Sequence, residues 1–204
     1  MHNKDLNTEQ KILLAAKKIF VEKGLEGARM QEIADEAGIN KALLHYYFRS
    51  KDKLFEGVFK EAFASLLPSI LSLLKQDIPL FEKIRLFTSQ YIDIFKENHY
   101  IPGFVLHELN RNPKRIVDLI STVGINPEIF MKQVEDEVEK GNIQPIDPRD
   151  LIVNMLAMCI FPFVAAPILK NIIFNKDEEA FALFIDERKK TVPQFIINSL
   201  KKNV

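Results

Sequence analysis

The chain has 204 residues, of which 28 are Lys or Arg and 28 are Asp or Glu, so it carries no net charge at pH 7. That balance excludes a general polyanion binder and leaves any nucleic-acid affinity to a local patch. A hydrophobic content of 47% is enough for a substantial core, and a single cysteine, Cys159, rules out an intrachain disulfide and fits a reducing compartment. The opening MHNKDLNTEQ is polar and has no apolar signal-peptide core, so a cytoplasmic location is expected.

In chain order, almost every segment reads as helix, and strand-like alternation bounded by turns is absent. Thr8 is the expected cap of a first helix whose buried stripe is Ile12, Ala16, Ile19 and Phe20, and Gly24 is its expected stop. A second helix is predicted from Met30 to Ala37 and a third from Lys41 to Tyr47. Between them Gly38 accepts a left-handed backbone and Asn40 is placed to cap the third helix. Ile33, Ala37, Ile39, Leu44 and Tyr47 fall where two crossed helices need buried groups, and Ala34 is small where their axes approach. This is the spacing of a helix-turn-helix, which lays its second helix in the DNA major groove. Around it Lys41, Arg49, Lys51 and Lys53 face only one acid, Asp52.

Ser50 is predicted to cap a fourth helix that continues to about Leu74, kinked near Pro68, with no linker between the motif and the remaining chain. Further helices are predicted over Leu80–Glu97, Gly103–Asn110, Lys114–Ile120, Pro127–Lys140, Pro148–Phe174 and Glu178–Leu200, the last bent at Pro193. The run from Leu151 to Leu169 is apolar except for Asn154 and approaches the length of a membrane span. Pro162 and Pro167 inside it argue instead for a core or interface helix.

The segment from Ile12 to Phe55 resembles the DNA-binding domain of TetR-family transcription regulators. The strings ILLAAKKIFVEKGLEGA and MQEIADEAGINKALLHYYFRSKDKLF carry the ordered series A-x-x-x-F, G-x-x-x-A, I-A-x-x-A-G and Y-F-x-S-K-x-x-L. Beyond about a quarter of the chain the resemblance is one of architecture alone. It implies an all-α fold, with a helix-turn-helix domain over residues 1–50 and a helical effector-binding and dimerisation domain over 51–204. It also implies a homodimer formed through helices near 148–174 and 178–200, and release of DNA on binding a small molecule. Two positions depart from the family pattern. Arg29 stands where a Ser or Thr often caps the second helix, and His45 where a Tyr is common, so an operator cannot be copied from a relative.

At 100° per residue, with Leu44 buried, Ala42 and Tyr46 point outward and Lys41 and His45 flank them. Lys41, Ala42, His45 and Tyr46 are therefore assigned to the groove surface. Asn40 sits at the helix start, Tyr47 is expected to bury its ring and aim its hydroxyl at a phosphate, and Arg29 and Lys51 are expected to meet phosphates from either side.

The phenylalanine-rich remainder points to a small, largely apolar effector, with Phe63, Phe87, Tyr91, Phe104, His107, Phe130, Met155 and Cys159 as candidate contacts. No Gly-rich phosphate loop, metal-ligand spacing or nucleophile motif is found, so neither an enzyme nor a cofactor is expected. The alternative reading is a DNA-bound structural or cell-division factor of the same fold without an effector.

Overall fold

The computed structural model describes residues 7–99, 101–111, 113–123 and 126–202; the side chains of Phe63, Phe104 and His107 lie outside the described set. Every regular element among the described residues is helical. Eleven α-helices appear: α1 Thr8–Gly27, α2 Met30–Glu36, α3 Lys41–Tyr47, α4 Lys51–Lys75, α5 Leu80–Glu97, α6 Ile101–Arg111, α7 Pro113–Val123, α8 Glu128–Glu139, α9 Pro148–Val164, α10 Ala166–Ile168 and α11 Glu178–Leu200. A π-helical turn, Leu169–Ile173, follows α10.

Two compact units emerge. The first takes the described residues of Met1–Leu66 and Asn98–Phe104, and the second those of Leu67–Glu97 and Val105–Val204. The helical backbone of α4 continues through the change of unit and through Pro68.

In the first unit, α1 starts one residue earlier than expected. Asn7, not Thr8, is the cap: its side chain accepts from Gln10 N at 2.9 Å while Gln10 Oε1 accepts from Asn7 N at 3.2 Å. That reciprocal capping box satisfies two helix-end donors, which Thr8 could not do with the same partner. Gly24 breaks the regular helix as expected, at φ 68°, although a last helical turn resumes to Gly27. Ile12, Ala15, Ala16, Ile19 and Phe20 are buried, and Phe20 meets Phe55 of α4 edge-on with centroids 4.5 Å apart. The fully buried Ile12 and Phe20 side chains each stabilise the unit by about 1.5–3 kcal/mol.

In the second unit, α5 packs mainly on α11 and α9, and α8 packs on α9. Ion pairs Lys96–Asp186 and Lys189–Asp93 tie α5 to α11. The predicted single helix Pro148–Phe174 is broken. It ends at Val164, turns at Ala165 and resumes with a 58° bend. Pro167 supplies the reason, since it has no N–H to give and its ring opposes the carbonyl one turn earlier. Left-handed Asn175 and Lys176, at φ 49° and 67°, then lead to Asp177, which caps α11 through Ala180 N at 2.9 Å. Among the described residues no single helix is long and apolar enough to cross a membrane; the bent pair passes by length and composition only when joined.

Candidate nucleic-acid interface

The turn between α2 and α3 is held from both sides. Gly38, at φ 68°, sends its N–H to Asp35 O at 3.1 Å, and Ile39 N donates to Ala34 O at 3.0 Å. This Schellman pattern closes α2 and needs a residue without a Cβ penalty at its left-handed position. Two residues on, Asn40 Oδ1 accepts from Leu43 N at 2.7 Å and opens α3. Its side chain is committed to the cap. Arg29 begins α2 with no side-chain cap bond, and it is exposed.

Ile33, Ala34 and Leu44 are fully buried between the two helices. Ala37 and Ile39 are half-buried. Tyr47 departs from expectation: it is 40% exposed, and Phe48, 9% exposed, supplies the buried ring. Phe48 lies just past the helix end at φ −132° and ψ 101°. Four residues past Leu44, it lies about 40° from that residue on helical spacing, nearer the buried side than Tyr47 at about 60°. Lys41, Ala42, His45 and Tyr46 are all exposed, Tyr46 at 80%, and its ring stands edge-on to Tyr47 at 5.5 Å. Leu43, at 36% exposed, adds an apolar contact beside them that the sequence reading missed.

Two of the three acids of α2 pair with lysines of α1. Lys18 pairs with Glu36 at 2.7 Å and Lys23 with Glu32 at 3.1 Å. The Lys23 hydrogen bond holds the Glu32 carboxyl below its usual value. Lys51 is neither a free surface lysine nor aimed at solvent alone. Its Nζ donates to Glu26 O at 3.2 Å and Ala28 O at 3.3 Å, closing the end of α1, while Ser50 Oγ accepts from Lys53 N at 3.2 Å and caps α4.

In the second unit the structure brings together some of the expected effector contacts. Phe87 stacks on Tyr91 at 5.2 Å, Tyr91 meets Phe95 edge-on at 4.6 Å, and Phe95 reaches Phe163 at 5.5 Å. Met155 and Cys159 share the buried side of α9, and Phe130 is buried on α8 with no ring contact to that row among the described residues. Burial pushes the Cys159 thiol up to about 12, against the pull of the Arg188 charge and the Thr88 hydroxyl. Burial likewise raises the Tyr91 hydroxyl.

Arg188 is a residue the sequence reading passed over. Its Nη2 donates to Met158 O at 2.5 Å, its guanidinium lies 5.3 Å from the Phe184 ring, and its buried Nε has no hydrogen-bond partner among the described residues. The available signal was one cation in the series Phe181, Phe184, Ile185, Arg188 and Val192 on α11. Among the described residues no group of three or more His, Cys, Asp or Glu is placed to hold a metal ion.

Comparison with known proteins agrees with this geometry. Residues 12–58 match the family described as "Bacterial regulatory proteins, tetR family". The chain is 23% identical over 183 residues to the probable HTH-type transcriptional regulator YttP of Bacillus subtilis, covering 86% of each. It is 26% identical over 161 residues to the nucleoid occlusion factor SlmA of Vibrio cholerae, covering 76% of this chain and 81% of that one. Among solved structures it is similar to HlyIIR, a hemolysin II transcriptional regulator, at 27% identity and a TM-score of 0.62, over 96% of this chain and 98% of that one. The helix-turn-helix with its exposed α3, the helical second unit and these likenesses converge: residues 12–58 match the tetR family of bacterial regulatory proteins, and the chain as a whole is similar to TetR-family DNA-binding transcriptional regulators.

Proposed function

We propose that the protein is a homodimeric repressor that leaves a palindromic operator when a small, largely apolar effector binds. The observation that carries the reading is the division of α3, with Leu44 fully buried and Lys41, Ala42, His45 and Tyr46 exposed. Lys41 near the helix start meets base edges, Ala42 approaches a thymine methyl, and Tyr46 and His45 line the groove. Arg29 and the α4 start at Lys51 meet phosphates; Asn40 and Tyr47 hold and border the contact. Residues 1–50 read DNA and residues 51–204 bind effector and partner.

Exposed apolar groups on the last helices support a second copy: Val153 and Phe161 on α9, Leu183 and Phe195 on α11. A dimer doubles the phosphate contacts that a chain of zero net charge supplies sparingly. The effector is taken within the second unit by the aromatic and sulfur-bearing side chains around Phe87, Tyr91, Met155 and Cys159, together with Phe130. Its binding shifts α4 and alters the spacing of the two recognition helices. The protein acts in the cytoplasm.

Selection of bound genome fragments at two salt concentrations tests this. A single palindrome that survives moderate salt supports the regulator. The likeness to a nucleoid occlusion factor favours a second reading, a DNA-bound factor without effector control. Salt-sensitive binding without a preferred sequence would overturn both. Many dispersed sites of one sequence would favour the second.

A further inference from the structure

Within the second unit, the α4–α5 turn, the start of α5 and one side of α8 frame a cleft of about 790 Å³. Its walls include Ile78, Leu80, Ile129 and Ile143, with Lys83 and Gln133 set among them. None of the aromatic or sulfur groups assigned above to the effector lines it.

Lys83 is only 3% exposed. Its Nζ donates to Leu74 O at 3.2 Å, and no carboxylate lies within ion-pair distance among the described residues. An ammonium has three N–H donors, and buried ammonium groups normally find a full set of partners. Burial pushes Lys83 below its ordinary value, with Asp77 opposing from a distance. In the same cleft, Gln133 Nε2 donates to Ile78 O at 2.8 Å, which fixes the amide orientation, since a flipped amide would set oxygen against oxygen. Gln133 Oε1 is then buried with no hydrogen-bond partner among the described residues. The cleft thus offers, among its lining residues, unfilled donors on a cation and an unfilled acceptor, together with aliphatic side chains. Four lysines and three acids line it, which suits one negative charge and disfavours a polyanion.

We propose that this cleft is a binding site for a small aliphatic monocarboxylate carrying a hydroxyl or N–H beside its carboxylate. The carboxylate accepts from Lys83 Nζ, the neighbouring donor meets Gln133 Oε1, and the aliphatic part covers Ile78 and Ile129. The site lies apart from the aromatic row, and its occupancy stands independently of whether it alters DNA release.

The test is calorimetric titration of the full chain with 2-hydroxyisocaproate and with isocaproate, which lacks the hydroxyl. Saturable binding of the hydroxy acid, about ten-fold tighter than isocaproate, is expected, since a hydrogen bond to an otherwise unpaired buried group is worth that much. Lys83→Met keeps the length, removes the buried charge and should melt no lower than the parent, yet bind both acids at least about ten-fold more weakly. Gln133→Met should remove the preference for the hydroxy acid and retain isocaproate binding, which keeps the proposal open to refutation should Lys83→Met not fold. Absence of saturable binding by the parent, or unchanged affinity in Lys83→Met, would overturn the proposal. Loss of folding in Lys83→Met, with unchanged selectivity in Gln133→Met, would do so too and would make Lys83 a clamp on the last turn of α4.

Discussion

The ring of Phe48 sits on the backbone of Gly57: a β-carbon on Gly57 would stand 2.9 Å from Phe48 Cε1 and 3.0 Å from Leu13 Cδ2. Phe48 is the residue that ends the recognition helix, so its seat on α4 helps fix how α3 is presented. Gly57→Ala gains about 1 kcal/mol of helix propensity but forces two packed groups to move, at about 1–3 kcal/mol. The expected net is a loss of about 1 kcal/mol, read as an earlier urea midpoint. Equal or greater stability would mean that the ring has room to yield.

Lys41 and Tyr46 contribute little to folding because both are exposed. Alanine at either should leave the melting temperature unchanged and weaken binding to the selected operator by about ten-fold or more. Lys41→Ala should also flatten the salt dependence if its contact is to phosphate, and relax the preference at one base if it is to a base edge. Binding curves on operator and single-base variants at two salt concentrations separate these. Unchanged affinity and preference in both variants would remove α3 from the reading role.

Phe161 is 59% exposed on a helix whose opposite side carries buried Leu151, Met155 and Cys159. If that outer side meets a second copy, Phe161→Glu sets a charge in a dry contact and weakens self-association by at least about ten-fold. Sedimentation should show monomer at concentrations where the parent is dimeric, with helical content retained. A dimer of undiminished strength would place the interface elsewhere.

Cys159 is fully buried and its thiol is raised from an ordinary 9.0 to about 12. The native chain therefore holds a proton that the unfolded chain releases, so this group's contribution to stability is complete below pH 9 and falls as the pH rises toward 12. Denaturant titrations across that range should show the decline, and Cys159→Ser should not share it in full. Below pH 8 the native thiol should react with a disulfide reagent far more slowly than in the denatured chain. Rapid native labelling would show that α9 opens readily.

Elements bounded by strong local chemistry were legible in the sequence. The starts of the helices at Lys41 and Glu178 follow from Asn40 and Asp177, whose short side chains cap each N-terminus. Asn7 and Thr8 are both good caps, and the choice rested on Gln10 three residues beyond Asn7. Leu151 to Leu169 is apolar on every side, so no periodicity marked where Pro167 would stop the helix. Phe48 takes the buried place expected of Tyr47 because it falls four residues past Leu44, about 40° away against about 60° for Tyr47, a difference smaller than spacing alone resolves. The role of Lys51 was out of reach for a different reason: its acceptors are backbone carbonyls, at Glu26 and Ala28, which leave no imprint on residue identity.

That last contact bears on the role proposed for Lys51 at a phosphate. A lysine that waves in solvent surrenders up to about 2 kcal/mol of rotational freedom when it docks. Lys51 has given up much of that freedom during folding, anchored to the end of α1 while standing at the start of α4. If it meets a phosphate as proposed, its worth to an operator complex is that of a fixed peg rather than a reaching arm: it would mark where a phosphate has to lie, and a duplex whose backbone runs elsewhere would gain nothing from it.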